Sequence, residues 1–386
     1  MLGNNTGKTR RDVLKLTGGV AGSAGLTGLA SAGEADKVEV NVGFSSTAGK
    51  RAAASAAASV EREFGFDAMT ITVNENALSG LRNRGDVRYV EKNGTMHALA
   101  QSVPYGIDRV DADVARANGT TGSGADVAIV DTGIDSDHPD LQGVLGEGRA
   151  FTRCKGGPRS CRYDWDDDND HGTHCAGTAG AIDNTEGVVG VSSQATLHAV
   201  KVLDKRGSGS YSDIAAGVEY VANQGWDVAS MSLGGSSSSS VLRDAIQFAD
   251  SQGVFQVAAA GNSGPCSDCV GYPAAYPEVM AVSATDTTDT LADFSSTGPE
   301  VDIAAPGVDV NSTLPGGTYG QFSGTSMSCP HVAGAAGLLI DAGYAPTEVR
   351  SRLAGTAEDI GYGANETGAG LLDAAAALGL DSSDDS

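Results

Sequence analysis

The sequence predicts an α/β protein, a parallel sheet covered by helices on both faces, preceded by a small α+β module. Three observations carry that expectation. Beyond about residue 100, short apolar runs alternate with amphipathic stretches, as in strands buried on both faces with helices between them. Polar residues follow directly on several of those runs, where open α/β sheets place ligands. Residues 33–99 differ, with strictly alternating segments and an Ala-rich stretch packed into a short span.

The elements follow in order. Thr9-Arg10-Arg11-Asp12-Val13-Leu14-Lys15, the weakly apolar stretch 16–29 and Ala30-Ser31-Ala32 read as a twin-arginine export signal with its cleavage site, so residues 1–32 are expected to be removed and the chain secreted. In the 33–99 module, 38–44, 69–73 and 87–90 read as strands, and 52–64 and 78–84 as helices. In the 100–380 domain, 126–130, 197–203, 227–231, 254–260, 279–284 and 302–304 read as strands. Ile214, Val218 and Val221 mark one helical stripe, and Val241, Ala245, Phe248 and Ala249 another. Residues 332–340 are apolar almost all round, which predicts a central buried helix. Ser236–Ser240 reads as a loop, and 381–386 as an acidic tail.

Charge narrows the function. The 386 residues carry 49 acidic against 25 basic groups, a formal net charge of −24, and no Lys after Lys205. That excludes nucleic acid and anionic membrane as natural partners. Two readings remain, attraction of cationic substrates or a surface kept hydrated in concentrated salt; the even spread of the acids favours the second. Six cysteines suit an extracellular site. Cys154 with Cys161 and Cys266 with Cys269 are spaced for local disulfides, zinc binding by the four thiols being the alternative, while Cys175 and Cys329 read as free and buried.

Three segments carry candidate chemistry. Asp131 ends the apolar run Val127-Ala128-Ile129-Val130. His171 opens His171-Gly172-Thr173-His174-Cys175-Ala176-Gly177-Thr178. Ser326 lies in Gly324-Thr325-Ser326-Met327-Ser328-Cys329-Pro330-His331, just ahead of the buried helix. Singly, each reads as a turn, a structural histidine or a helix cap. Together they supply what a hydroxyl nucleophile needs: a base, and a carboxylate that fixes the base's tautomer.

With the further motifs Ser232-Leu233-Gly234-Gly235 and Ala258-Ala259-Ala260-Gly261-Asn262, this constellation resembles the subtilase family of serine proteases over residues 101–376, and within it the halophilic archaeal halolysins. The resemblance implies a subtilisin-like sheet, a ferredoxin-like propeptide in 33–99 that acts as chaperone and inhibitor, and self-cleavage near residues 98–101. It implies Asp131, His171 and Ser326 as the triad, Asn262 with the Ser326 N–H as the oxyanion hole, and His174 as structural. It implies substrate contacts at Ser232, Leu233 and Gly234, and at Ala259, Ala260, Gly261 and Gly271, around a wide uncharged pocket for large apolar or aromatic side chains. Protein and peptide substrates, a monomer and no catalytic cofactor follow from it as well. Structural calcium is expected at Gln101, Asp140 and Asn184 with the carbonyls of Ile182, Glu186 and Val188. A weaker cation site is expected at Glu300 and Asp302 with the carbonyls of Ala274, Tyr276 and Val279. The run Asp164–Asp170 is open between a further calcium site and a solvated acidic loop. Halolysins commonly carry a C-terminal extension that this sequence lacks. Two rival functions remain: zinc hydrolysis through His171 and His174, which lack the one-turn spacing of H-E-x-x-H, and a silent binding protein on the same fold.

Overall fold

The structure is a computed structural model in which residues 37–93, 101–155 and 161–382 are described. The expected signal segment, the processing region at 94–100 and the end of the acidic tail lie outside those residues. The chain divides into two compact units, one ending at His97 and the other beginning at Ala98.

The first unit runs β1 (Lys37–Phe44), α1 (Thr47–Ala56), β2 (Ala57–Phe64), β3 (Ala68–Asn74), α2 (Leu78–Arg82) and β4 (Val87–Lys92). Its antiparallel sheet has the order β2-β3-β1-β4, the ferredoxin-like arrangement. Val40, Val42, Phe44, Ile71 and Val73 face the helices through Ala53, Leu78 and Leu81. The helix expected over 52–64 is corrected here. Ser46 caps α1 by accepting from the Gly49 N–H, and the helix stops at Ala56. The next eight residues pair with β3, because pairing with β3 outweighs the helix preference of an Ala-rich run.

The second unit opens with α3 (Tyr105–Arg109) and α4 (Ala112–Ala117), then builds a wholly parallel seven-stranded sheet. Its strands are β5 (Asp126–Asp131), β6 (Arg149–Ala150), β7 (Thr196–Lys201), β8 (Val228–Met231), β9 (Phe255–Ala259), β10 (Met280–Thr285) and β11 (Val301–Pro306), in the order β11-β10-β9-β8-β5-β7-β6. Helices α5 (His171–Gly180), α6 (Tyr211–Gln224) and α7 (Ser240–Ser251) fall between strands. A hairpin of β12 (Val310–Leu314) and β13 (Thr318–Phe322) precedes α8 (Thr325–Asp341), and α9 (Pro346–Thr356), α10 (Ala364–Thr367) and α11 (Ala374–Leu378) complete the chain.

Alternate residues of the strands feed two cores. Val127, Ile129, Leu197 and Val257 pack with α5 and α8; Ala128, Val130, Val200 and Met231 pack with α6 and α7. The apolar sequence of α8 is explained by burial on all sides, from Met327 to Leu339. In α7 the expected stripe is one residue out of phase. Leu242, Ile246 and Ala249 face the core, while Val241 is 51 % exposed. Both sets satisfy the i, i+4, i+7 spacing, and the sheet takes the one bearing Leu and Ile. The short edge strand β6 and the β12–β13 hairpin were not foreseen.

Candidate active site

The three residues expected as a triad come from three elements, β5, α5 and α8. Asp131 is the last residue of β5 and fully buried. Its Oδ1 accepts from His171 Nδ1 at 2.8 Å and from the Thr132 N–H at 2.7 Å. A carboxylate only accepts, so Nδ1 carries a proton, and in the neutral ring Nε2 keeps its lone pair. His171 opens α5 behind Asp170, whose φ of 101° turns the chain sharply into the helix. Burial alone would disfavour the imidazolium; the Asp131 charge more than offsets it and lifts His171 well above its ordinary value.

Ser326 is the second residue of α8, half-buried at the positive end of the helix dipole. Pro330, one turn on, has no N–H to give the Ser326 carbonyl. That carbonyl accepts from Ser232 Oγ at 2.8 Å and from Cys175 Sγ at 3.4 Å. Cys175 also lies 4.0 Å from His171 Nδ1, so one buried thiol touches both elements. Burial raises its pKa, which keeps it neutral. The Ser326 hydroxyl itself donates to the Ser232 carbonyl at 3.2 Å, a contact it must exchange to meet a base. Asn262 Oδ1 accepts from the Thr325 N–H at 2.9 Å and from Thr325 Oγ1 at 3.0 Å, which leaves its amide N–H groups as donors beside Ser326. Pro330, Cys175 and the Ser232 hydroxyl were missed as supports. The proline in a helical run was the one available signal.

A cleft of about 530 Å³ opens beside His171, lined by Ser232, Leu233, Gly234, Leu203 and Tyr211 among others. Past Gly234, Gly235 exchanges two backbone hydrogen bonds with Tyr272. Gly271 donates to the Ala260 carbonyl at 2.9 Å, which places it between the Ser232–Gly234 segment and the Ala259–Gly261 segment. A Cβ there would meet Gly235 O at 3.3 Å and Ala260 O at 3.8 Å. His174 sits elsewhere. It is buried, stacks on Phe322 and bonds through Nε2 to the Val310 carbonyl at 2.9 Å, so it is not part of a metal pair with His171.

The tight cation set is brought together. Asp140, fully buried, accepts from the Asn184 amide at 2.8 Å and from the Val188 N–H at 2.9 Å. Gln101 points its amide N–H at the carbonyls of Ile182 (2.8 Å) and Val188 (3.2 Å), and Asn184 Oδ1 accepts from the Glu186 N–H at 2.7 Å. Donor hydrogens here fill a cluster of oxygens. Half a turn of either amide would offer one more oxygen, so the set fits a hard cation. In the weaker set, Asp302 is engaged by a side chain. Asp302 gives Oδ1 and Oδ2 to Arg350 Nη2 at 2.7 and 2.8 Å, and Arg350 Nη1 bonds the Pro277 carbonyl at 2.5 Å. The Tyr276 carbonyl accepts from the Val279 N–H at 3.0 Å. A guanidinium therefore pairs with Asp302 of that set, while Glu300 Oε2 is buried without a hydrogen-bond partner. The acidic run is part buried and part exposed. Asp166 and Asp167 are only 3 % and 4 % exposed and accept from protein donors, while Asp164 and Asp170 are exposed. Both expected cysteine pairs lie at disulfide distance, and Cys175 and Cys329 are free and buried.

Comparison with known proteins agrees with this geometry. The model of the "Subtilase family" matches residues 122–372. The chain belongs to the subtilase family. It is 46 % identical over 307 residues to subtilisin amylosacchariticus of Bacillus subtilis subsp. amylosacchariticus, covering 78 % of each chain. It is 45 % identical over 311 residues to an alkaline protease of Alkalihalobacillus alcalophilus, covering 80 % of this chain and 78 % of that one. With the subtilisin of Bacillus pumilus it shares 47 % over 266 residues, 68 % of this chain and 94 % of the relative. This subtilase is a serine-type endopeptidase with the subtilisin-like α/β fold.

Proposed function

We propose that this subtilase is a secreted, self-processing endopeptidase that cleaves through an acyl-enzyme, with Ser326 as nucleophile, His171 as base and Asp131 as the group that orients and charges the base. The observation that carries the reading is the 2.8 Å bond from His171 Nδ1 to Asp131, which commits Nε2 to taking a proton. Rotation of the Ser326 hydroxyl off the Ser232 carbonyl would present it to Nε2; such contacts tighten when substrate binds. His171 removes the proton as Oγ attacks the carbonyl, then delivers it to the leaving amine. A water repeats the sequence to release the acid. Asn262, its oxygen pinned by Thr325, would donate with the Ser326 N–H to the developing oxyanion. The substrate would lie along Ser232-Leu233-Gly234 as an added strand. Its large apolar or aromatic side chain would enter between that segment and Ala259-Ala260-Gly261, with Gly271 at the base.

Calcium, when bound by Gln101, Asp140 and Asn184 with the carbonyls of Ile182, Glu186 and Val188, would brace the 182–188 loop and supply no chemistry. The 33–99 module is read as inhibitor and chaperone, the export route as twin-arginine, the working state as a monomer, and the acidic surface as halophilic. The formal charge of −24 supports the last. No helix among the described residues is long and apolar enough to cross a membrane.

The test pairs wild type with Ser326→Ala, refolded in high salt with calcium. Wild type should lose the mass of the 33–99 segment and hydrolyse a peptide with an aromatic residue before the scissile bond, and the variant should do neither. A variant that matched wild type would remove Ser326 from the mechanism.

A further inference from the structure

We propose that the buried Lys201–Asp168 ion pair, with Asp167 beside it, positions the Asp131–His171 dyad and sets the pH at which His171 becomes a base. The proposal rests on the reading of His171 given above. Lys201 ends β7 and stands in register with Asp131 of the neighbouring strand. It is fully buried, where an ammonium persists only if all its hydrogens are placed. They are placed: Nζ donates to the Thr132 carbonyl, to Asp168 Oδ1 at 2.7 Å and to the Leu203 carbonyl at 3.1 Å. Thr132 follows Asp131 directly, and Asp168 lies three residues before His171. One ammonium therefore ties the exit of the strand carrying the acid to the entry of the helix carrying the base.

Asp167 doubles the tie. Its Oδ1 accepts from Thr132 Oγ1 at 2.9 Å and from the Asn169 N–H at 2.9 Å; its Oδ2 accepts from the Thr173 N–H at 2.9 Å and from Thr173 Oγ1 at 2.6 Å. Thr132 Oγ1 in turn accepts from the Gly172 N–H at 2.8 Å. The remaining oxygen of Asp168 accepts from the Lys155 N–H at 2.6 Å. A buried ion pair stabilises a fold little more than a well-packed apolar pair of the same volume. What the apolar pair could not do is hold the Thr132 carbonyl and the 167–168 backbone in one place.

The charged and titratable groups around the imidazole are Asp131 on β5, Asp167, Asp168 and Asp170 in the entry loop, His174 and Cys175 on α5, Lys201 on β7, and Arg206 on the wall of the cleft. In wild type neither Asp168 nor Lys201 is among the groups that shift His171, as expected of a pair whose charges cancel. On the proposal, removing one member would expose His171 to the other's charge.

The experiment follows kcat/KM and kcat against pH for wild type, Asp168→Asn and the double variant Lys201→Met/Asp168→Asn, with unfolding midpoints. Asp168→Asn leaves an uncompensated cation, so the acid limb should move down by about half to one pH unit. The double variant should bring the limb back while kcat stays at least tenfold low and KM holds, because the charge is balanced and the tie is lost. An acid limb that does not move in Asp168→Asn, or does not return in the double variant, overturns the electrostatic role. A wild-type kcat in the double variant overturns the positioning role. A midpoint that falls while the profile stays unchanged leaves the pair merely structural and defeats the proposal. If the double variant does not fold, Asp168→Asn decides alone. Labelling of wild-type Ser326 by a fluorophosphonate is the separate check: its failure would sink the underlying reading and not this inference alone.

Discussion

Gly172→Ala should misplace the base without touching its chemistry. A Cβ at Gly172 would sit 2.1 Å from the Gly133 carbonyl oxygen and 3.0 Å from Thr132 Oγ1. Ordinary contact is about 3.5 Å, so the start of α5 and the turn after Asp131 must part by roughly 1 Å. The 2.8 Å bond between His171 and Asp131 spans those two segments and would stretch beyond hydrogen-bond range. A displacement of that size costs on the order of 10²-fold in kcat. Overpacking costs about 1–3 kcal/mol of stability, a fall in Tm of roughly 2–10 °C. The assay is kcat and KM on an aromatic peptide beside thermal unfolding, with Gly355→Ala as comparison. Gly355 lies in α9 with nothing within 4 Å of an added Cβ, so that change should keep full activity and stabilise by up to about 1 kcal/mol. A Gly172→Ala enzyme within about twofold of wild-type kcat would refute the steric reasoning, since the predicted loss is far larger.

Four further outcomes follow from the geometry. Asn262→Ala should lower kcat by on the order of 10²-fold with little change in KM, because the lost donor acts on the oxyanion; equal kcat would remove Asn262 from that role. His171 must be neutral to work and is held above its ordinary 6.5, so kcat/KM should fall on acidification with a midpoint above pH 6.5; a midpoint below it would contradict the Asp131 effect. His174 and His331 are buried with pKa values depressed from 6.5 to about 4. The unfolded chain then binds more protons between those values, so Tm should drop as pH falls from about 6.5 towards 4, and a flat Tm across that window would refute it. Chelation, or Asp140→Asn, should shorten the lifetime at elevated temperature and direct cleavage to the 182–188 loop, as followed by mass spectrometry; cleavage elsewhere would count against calcium there.

Much of the site was legible because its parts are contiguous. Asp131, His171, Asn262 and Ser326 each sit in a short segment whose residue types state their role, and the apolar runs before them fix the sheet edge on which they meet. What could not be read depends on pairs far apart in the chain. Arg350 reaches from α9 to pair with Asp302, one residue of the weaker cation set. Lys201 pairs with Asp168, so the middle of a run of acids turns inward while Asp164 and Asp170 stay exposed. Cys175 bonds the carbonyl that Pro330 sets free, and neither residue alone announces the other. The phase of α7 and the break between α1 and β2 were ambiguous for a local reason. Two stripes fit one helical period, and an Ala-rich run tolerates either state until a neighbouring strand claims it.

The all-parallel sheet has a consequence in time. None of its seven strands can pair through a tight hairpin; each closure spans a crossover, so assembly is slow and topologically demanding. Cys175 and the Ser326 carbonyl it bonds are 151 residues apart. A chain emerging from synthesis would carry Asp131 and His171 well before Ser326, whose helix α8 packs against β5, β8, β9, β10 and β11. A fragment that ends before α8 therefore holds Asp131 and His171 without Ser326. The chain order works as a delay: the three residues proposed as the triad can meet only once most of the chain has been made.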